Sequence, residues 1–121
     1  VKLFVYGTLR TGEPQSGLLA GCSRAPASVR GQLYALPAGY PALVVGGSRK
    51  VYGELVDGLD EARLSLLDAF EGVDEGLYRR VQVEVDVALQ RVLAHAYVME
   101  HPDRVGGVLI EDGRWRRSIR R

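Results

Sequence analysis

Cysteine is almost absent. Cys22 stands alone among 121 residues, which excludes an intrachain disulfide and makes a reducing compartment the expected setting. Histidine is nearly as scarce. His95 falls within an alternating segment, His101 precedes Pro102, and Cys22 is far from both, so no spacing resembles a metal-ligand set. No stretch approaches the roughly 20 apolar residues of a membrane helix. The apolar opening Val1–Val5 is broken by Lys2 and then by Gly7 and Arg10, before a secretory core forms. Neither sign of charge dominates: 16 Lys and Arg oppose 15 Asp and Glu, for a net +1. Nucleic-acid-binding domains usually carry a clear basic excess, so no such partner is expected. There is no P-loop, no glycine-rich dinucleotide fingerprint after a strand, and nothing that marks a Cys/His or Ser/His nucleophile pair. The expectation is a soluble cytoplasmic chain without metal, cofactor or membrane contact. Nothing in the sequence sets an oligomeric state.

What is present is an ordinary globular composition, 46% hydrophobic and 26% charged. A chain of this length buries about two thirds of its unfolded surface, enough for one core, and residues 1–121 are expected to form one domain. Val1–Tyr6 is β-branched and aromatic and ends at Gly7. Its near-continuous apolar character predicts a central strand buried on both faces. Thr8–Gly17 reads as a loop, with a helical turn around Gln15–Leu19. Strands are expected over Ala27–Leu36, Pro41–Val45 and Lys50–Val56, the last two joined as a hairpin through Gly46-Gly47-Ser48. One helix is expected over Leu59–Phe70, capped by Asp57 or Asp60 and stopped by Gly72, with Ala62, Leu66 and Phe70 on its mostly apolar face and Leu59, Arg63 and Leu67 beside them. Tyr78–Val87 and Arg91–Met99 alternate as two more strands around a turn at Asp86–Gln90. Strands, one helix and strands again predict an α+β fold with a mostly antiparallel sheet or barrel. The tail from Arg114 to Arg121 holds five of the 16 basic residues, and removing those five charges from +1 leaves −4 for the body. It reads as a solvated, frayed end anchored by Trp115, or alternatively as a contact for an acidic partner.

Two places carry the chemistry. In Tyr6-Gly7-Thr8-Leu9-Arg10 a buried strand runs into a glycine loop. Such a junction frees backbone N–H groups to bind a carboxylate or a developing oxyanion, although a glycine after a strand also serves simply as a turn. In Asp68-Ala69-Phe70-Glu71-Gly72, Glu71 falls at the helix C-terminus, where free carbonyls and the macrodipole disfavour a carboxylate. That position, with burial, raises its pKa into the range useful for proton transfer. The alternative is an exposed glutamate at a helix end. Tyr78, at the start of the next strand, reads either as a third pocket residue or as a core-edge aromatic with a wet tip.

Taken in order, Phe4-Val5-Tyr6-Gly7-Thr8-Leu9-Arg10, Tyr40-Pro41-Ala42, Val51-Tyr52-Gly53-Glu54-Leu55, Leu67-Asp68-Ala69-Phe70-Glu71-Gly72, Tyr78-Arg79-Arg80, Ala96-Tyr97-Val98 and Ile110-Glu111-Asp112-Gly113-Arg114-Trp115 resemble the γ-glutamylcyclotransferase-like family, including its AIG2-like and γ-glutamylamine cyclotransferase branches. The resemblance implies a six-stranded, mixed but mostly antiparallel barrel-like sheet with one main helix. It implies an acid/base glutamate at Glu71 and substrate binding by Tyr6, Gly7, Thr8, Leu9 and Arg10. Tyr40, Tyr78 and Arg10 would line or support the pocket. The substrate would be a small γ-glutamyl amine or peptide, cyclised to 5-oxoproline with release of the amine and no cofactor. The rival expectations are a non-catalytic module for a small carboxylate-bearing ligand and a tail-mediated interaction protein.

Overall fold

The computed structural model describes residues 1–116. Six strands, β1 (Lys2–Val5), β2 (Ser23–Ala35), β3 (Pro41–Asp57), β4 (Arg79–Val87), β5 (Gln90–Val98) and β6 (Val108–Ile110), surround one helix, α1 (Glu61–Phe70). They lie in the order β3-β1-β5-β4-β2-β6, and β3 pairs again with β2. That second pairing closes five strands into a ring, with β6 attached outside it along Leu33–Ala35. All pairings are antiparallel except β1 against β5, where Leu3 faces His95. The mixed, mostly antiparallel barrel with one main helix is therefore as the sequence predicts.

Closure follows from side-chain alternation. On β1, Phe4 points into the barrel with Val29, Leu33, Leu43, Val51, Val85 and Trp115. Leu3 and Val5 point outward and pack with Val56, Leu59 and Leu67 beneath α1. The first strand is thus buried on both faces and sits between β3 and β5, the reason its residues are apolar without alternation.

Three expectations change. The hairpin at Gly46-Gly47-Ser48 does not form. Both flanks belong to the single strand β3, where Lys50 faces Arg30 and Val45 faces Gly31, leaving residues 46–49 without partners across the ladder. Gly46 and Gly47 adopt φ of 111° and 86° and absorb an insertion. The chain does not reverse because the long β2 offers pairing to both halves. The real hairpin is β2–β3, turning between Leu36 and Tyr40, where Leu36 N donates to Tyr40 O at 2.8 Å. Strand β2 also begins earlier than expected, at Ser23.

The third change concerns α1. Its buried residues are Leu64 and Leu67, while Leu66 and Phe70 are exposed. The helix packs along one narrow stripe, and the Ala62–Leu66–Phe70 face looks outward. Asp60 is the N-cap, its Oδ1 accepting from Arg63 N at 2.8 Å. Asp57 instead accepts from Gly58 N and pairs with Lys2 at 3.5 Å. Asp60→Ala is expected to cost about 1 kcal/mol of stability, read as a lower urea midpoint with unchanged slope.

The turn at Ser16–Leu19 and the β4–β5 turn lie where expected. Among the described residues no helix is long and apolar enough to cross a membrane. Trp115 is buried and Arg114 lies over the Tyr52 ring, 4.0 Å from its centroid. The rest of the expected basic tail, from Arg117 on, lies outside the described residues.

Candidate active site

Strands β1 and β5 finish at the same end of the barrel, because they run parallel, and β4 begins there against the end of β5. A cavity of about 220 Å³ opens at this end, lined by the loop after β1, Tyr40 and Pro41, the C-terminus of α1, Leu77, Tyr78 and Tyr97. Of the residues singled out from sequence, Tyr6, Gly7, Thr8, Leu9, Tyr40, Glu71 and Tyr78 all line it. Arg10 does not. Its guanidinium turns away, Nη2 donating to Trp115 O at 2.7 Å and Nε to Gly7 O at 3.1 Å, and it lies over the Trp115 ring at 5.6 Å. Arg10 thereby ties the loop to the closing segment.

The loop is held in a compact form. Arg10 N and Gln15 N donate to the carbonyls of Gly7 and Thr8 at 3.1 and 2.9 Å. From below, Arg24 donates to Leu9 O at 2.8 Å and to Ser16 O at 3.0 Å, and pairs with Glu54 at 2.9 Å. Glu54 in turn accepts from Thr11 N at 2.8 Å. Burial raises the Glu54 carboxyl, but the bonds from Thr11 and Arg24 outweigh it and hold it below the usual carboxylate range. In these turns the loop offers its carbonyls as acceptors, while the N–H groups of Gly7, Thr8 and Leu9 donate in none of them. Gly7 is required by close approach. A Cβ there would stand 2.6 Å from Pro41 Cγ and 3.1 Å from Cδ. Gly7→Ala is expected to push the loop off Pro41 at a cost of roughly 1–3 kcal/mol, measured as a lower melting temperature together with weaker ligand binding.

Glu71 is the C-cap of α1, its N–H donating to Leu67 O at 2.8 Å. Gly72 follows at φ 69°, the left-handed conformation that ends a helix at glycine. This turn aims Glu71 into the cavity. Among the described residues its carboxylate has no hydrogen-bond or ion-pair partner, and burial pushes its pKa up from the ordinary value to about 7. The surrounding tyrosines are engaged elsewhere. Tyr6 donates to Tyr97 O at 2.6 Å, and Tyr78 donates to Pro41 O at 2.6 Å. Burial raises the pKa of both, with Glu71 adding to it, so both stay neutral at physiological pH.

Asp68 and Tyr97 were not singled out individually from the sequence. The Tyr97 hydroxyl donates to Asp68 Oδ1 at 2.7 Å, and Arg80 grips the same carboxylate in a fork at 2.8 and 3.1 Å. Burial raises the Asp68 carboxyl, but Arg80 and Tyr97 outweigh it and hold it below its usual range. Asp68 lies one turn before Glu71 on α1, so this network fixes the helix end against β4 and β5. The signal was available: both residues sit inside segments that carry the resemblance. Among the described residues no group of His, Cys, Asp and Glu is placed to hold a metal.

A loop whose Gly7, Thr8 and Leu9 N–H groups have no hydrogen-bond partner among the described residues, lining one cavity with a half-buried carboxyl, can stabilise an oxyanion while moving a proton. Comparison with known proteins gives the family. Residues 3–117 match the family model described as Gamma-glutamyl cyclotransferase, AIG2-like. A gamma-glutamylaminecyclotransferase from Bos taurus is 32% identical over 95 residues, covering 69% of this chain and 55% of the relative. A putative gamma-glutamylcyclotransferase, YkqA of Bacillus subtilis, is 34% identical over 119 residues, covering 94% of this chain and 40% of the relative. The chain thus spans about half the length of the curated relatives it matches. The crystal structure of YkqA superposes with a TM-score of 0.74 at 31% identity, over 94% of this chain and 39% of that one. An uncharacterised protein from Pyrococcus horikoshii, at 24% identity and a TM-score of 0.72, covers 94% and 88% and shares the fold.

Proposed function

Because the chain belongs to the γ-glutamyl cyclotransferase, AIG2-like family, we propose that it cyclises a γ-glutamyl amine or peptide to 5-oxoproline and releases the amine. The observation that carries this reading is the shared cavity. Glu71, half-buried, without a partner among the described residues and with a pKa raised to about 7, lies in it together with Gly7, Thr8 and Leu9.

In the reaction the substrate's neutral α-amine attacks its own γ-carbonyl and closes a five-membered ring. The Gly7–Leu9 N–H groups receive the oxyanion and the α-carboxylate. Glu71 takes the proton shed by the attacking nitrogen and delivers it to the departing one, so one carboxyl serves as base and then as acid. A pKa near 7 suits both duties, since neither protonation state is rare at neutral pH. Tyr6, Tyr40 and Tyr78 form the wall, and Arg10 holds the loop in shape. Residues 1–121 act as one catalytic domain in this scheme, and the lone Cys22 fits a cytoplasmic setting.

The test is 5-oxoproline release, followed by mass spectrometry, from a panel of γ-glutamyl amines and dipeptides. Release of 5-oxoproline and free amine in equal amounts is expected. A protein that binds these compounds by calorimetry but releases nothing is a carboxylate-binding module instead.

A further inference from the structure

Behind the loop that lines the cavity lies a pair of charges that the proposed reaction does not touch. Arg24, on β2, and Glu54, on β3, form a half-buried ion pair at 2.9 Å, with side chains 19% and 21% exposed, and neither lines the cavity. As a source of stability such a pair has little to offer, because drawing both charges part-way out of water offsets most of their attraction. Its bonds point instead to a role in direction.

Arg24 presents a planar fork to three acceptors. Nη1 donates to Leu9 O at 2.8 Å and to Glu54 Oε1 at 2.9 Å, and Nη2 donates to Ser16 O at 3.0 Å. Glu54 Oε1 also accepts from Thr11 N at 2.8 Å. The pair therefore grips the loop at residues 9, 11 and 16.

Peptide planarity carries this grip to the cavity. In a planar trans peptide the C=O and the following N–H point in opposite directions, so a carbonyl that is held fixes the donor on the next residue. Arg24 holds Leu9 O, which turns Arg10 N back toward Gly7 O, where it donates at 3.1 Å. Gly7 O, held in turn, directs Thr8 N–H the other way. Thr8 O accepts from Gln15 N at 2.9 Å and directs Leu9 N–H likewise. Thr8 and Leu9 both line the cavity, and neither N–H has a hydrogen-bond partner among the described residues. Two peptide planes thus separate the Arg24 guanidinium from a donor in the site.

We infer that Arg24 and Glu54 are positioning residues, which aim the Thr8 and Leu9 N–H groups at the developing oxyanion without touching the substrate. The inference rests on the cyclotransferase reading and adds to it the part of the fold that fixes the donors. Lysine cannot stand in for Arg24. An ammonium keeps the charge but lacks the fork that meets Leu9 O, Ser16 O and Glu54 Oε1 together.

The experiment measures kcat and KM for 5-oxoproline release in wild type, Arg24→Ala, Arg24→Lys and Glu54→Ala, on the γ-glutamyl compound that wild type turns over fastest. Circular dichroism and a urea titration give the folded fraction of each, and kcat is taken per folded molecule. Because the oxyanion belongs to the transition state, kcat is expected to fall roughly 10- to 10²-fold in each variant, a larger factor than the rise in KM. Variants on two strands guard against one that misfolds. A lower urea midpoint with kcat and KM unchanged in Arg24→Ala and Glu54→Ala makes the pair merely structural and overturns the inference, while the cyclotransferase reading stands. A rise in KM at unchanged kcat assigns the pair to substrate binding and overturns it too. Arg24→Lys as active as wild type overturns the role of the fork. No release by wild type from any compound of the panel overturns the reading and the inference built on it.

Discussion

Glu71→Gln is expected to lower 5-oxoproline release by about 10²-fold or more, the usual contribution of a positioned acid/base. The amide keeps the size of the side chain and removes the proton acceptor. Because Glu71 has no partner among the described residues, no ion pair is broken and the loop stays in place, so substrate binding is expected to survive. In wild type the acid limb of kcat/KM is expected to carry a group titrating near 7. The carboxylate is the working form of the base, so each pH unit below that point costs a further factor of about ten. The neighbouring tyrosines, raised by burial, contribute nothing in this range. A limb near pH 7 that persists in the residual activity of Glu71→Gln would assign the titration to another group.

The same substitution is expected to make the protein more stable in alkali. Glu71 titrates near 4.3 when unfolded and at about 7 in the fold, so between those values the native state binds the extra proton. Stability from this group is complete below about pH 4 and is lost as pH rises through 7. Above pH 8 the wild type carries the full cost of a half-buried carboxylate with no partner among the described residues, about 2–3 kcal/mol once its remaining contact with water is discounted. Glutamine carries none of it. The variant is expected to melt roughly 5–10 °C higher than wild type at pH 8.5 and close to it at pH 4.5. Equal melting temperatures at both pH values would mean that the carboxylate is well hydrated and its pKa ordinary. The proposed reaction thus sets activity and stability against each other at one side chain.

Much of this arrangement was legible in the chain. β1 declared its burial on both faces through Leu3, Phe4 and Val5, and Asp60 and Gly72 bracketed α1 within a residue or two. Glu71 was marked by being a carboxylate where helix ends favour cations. What was not legible depended on partners distant in sequence. Gly46-Gly47 has the composition of a hairpin turn, and only β2, long enough to pair with both flanks, makes it an insertion within β3. The apolar spacing Ala62–Leu66–Phe70 fits a core face as well as Leu64 and Leu67 do. Which stripe is buried is decided by where Leu3, Val5 and Val56 lie beneath the helix. Arg10 closes the signature segment, yet its cation serves Trp115, 105 residues away. Periodicity carries no information about such pairings.

The parallel contact between β1 and β5 has a consequence for how the protein is made. Leu3 meets His95, so the first stave of the barrel waits for nearly the last one. The loop that follows it cannot take its final shape on a chain that is still being extended. A nascent chain carrying α1 already has Glu71 but not yet the loop geometry that the proposed reaction needs. Turnover should therefore appear abruptly, with ring closure, and lag behind the helical and hairpin signals that local contacts produce early. In a refolding experiment the proposed reaction would serve as the clock for the last event.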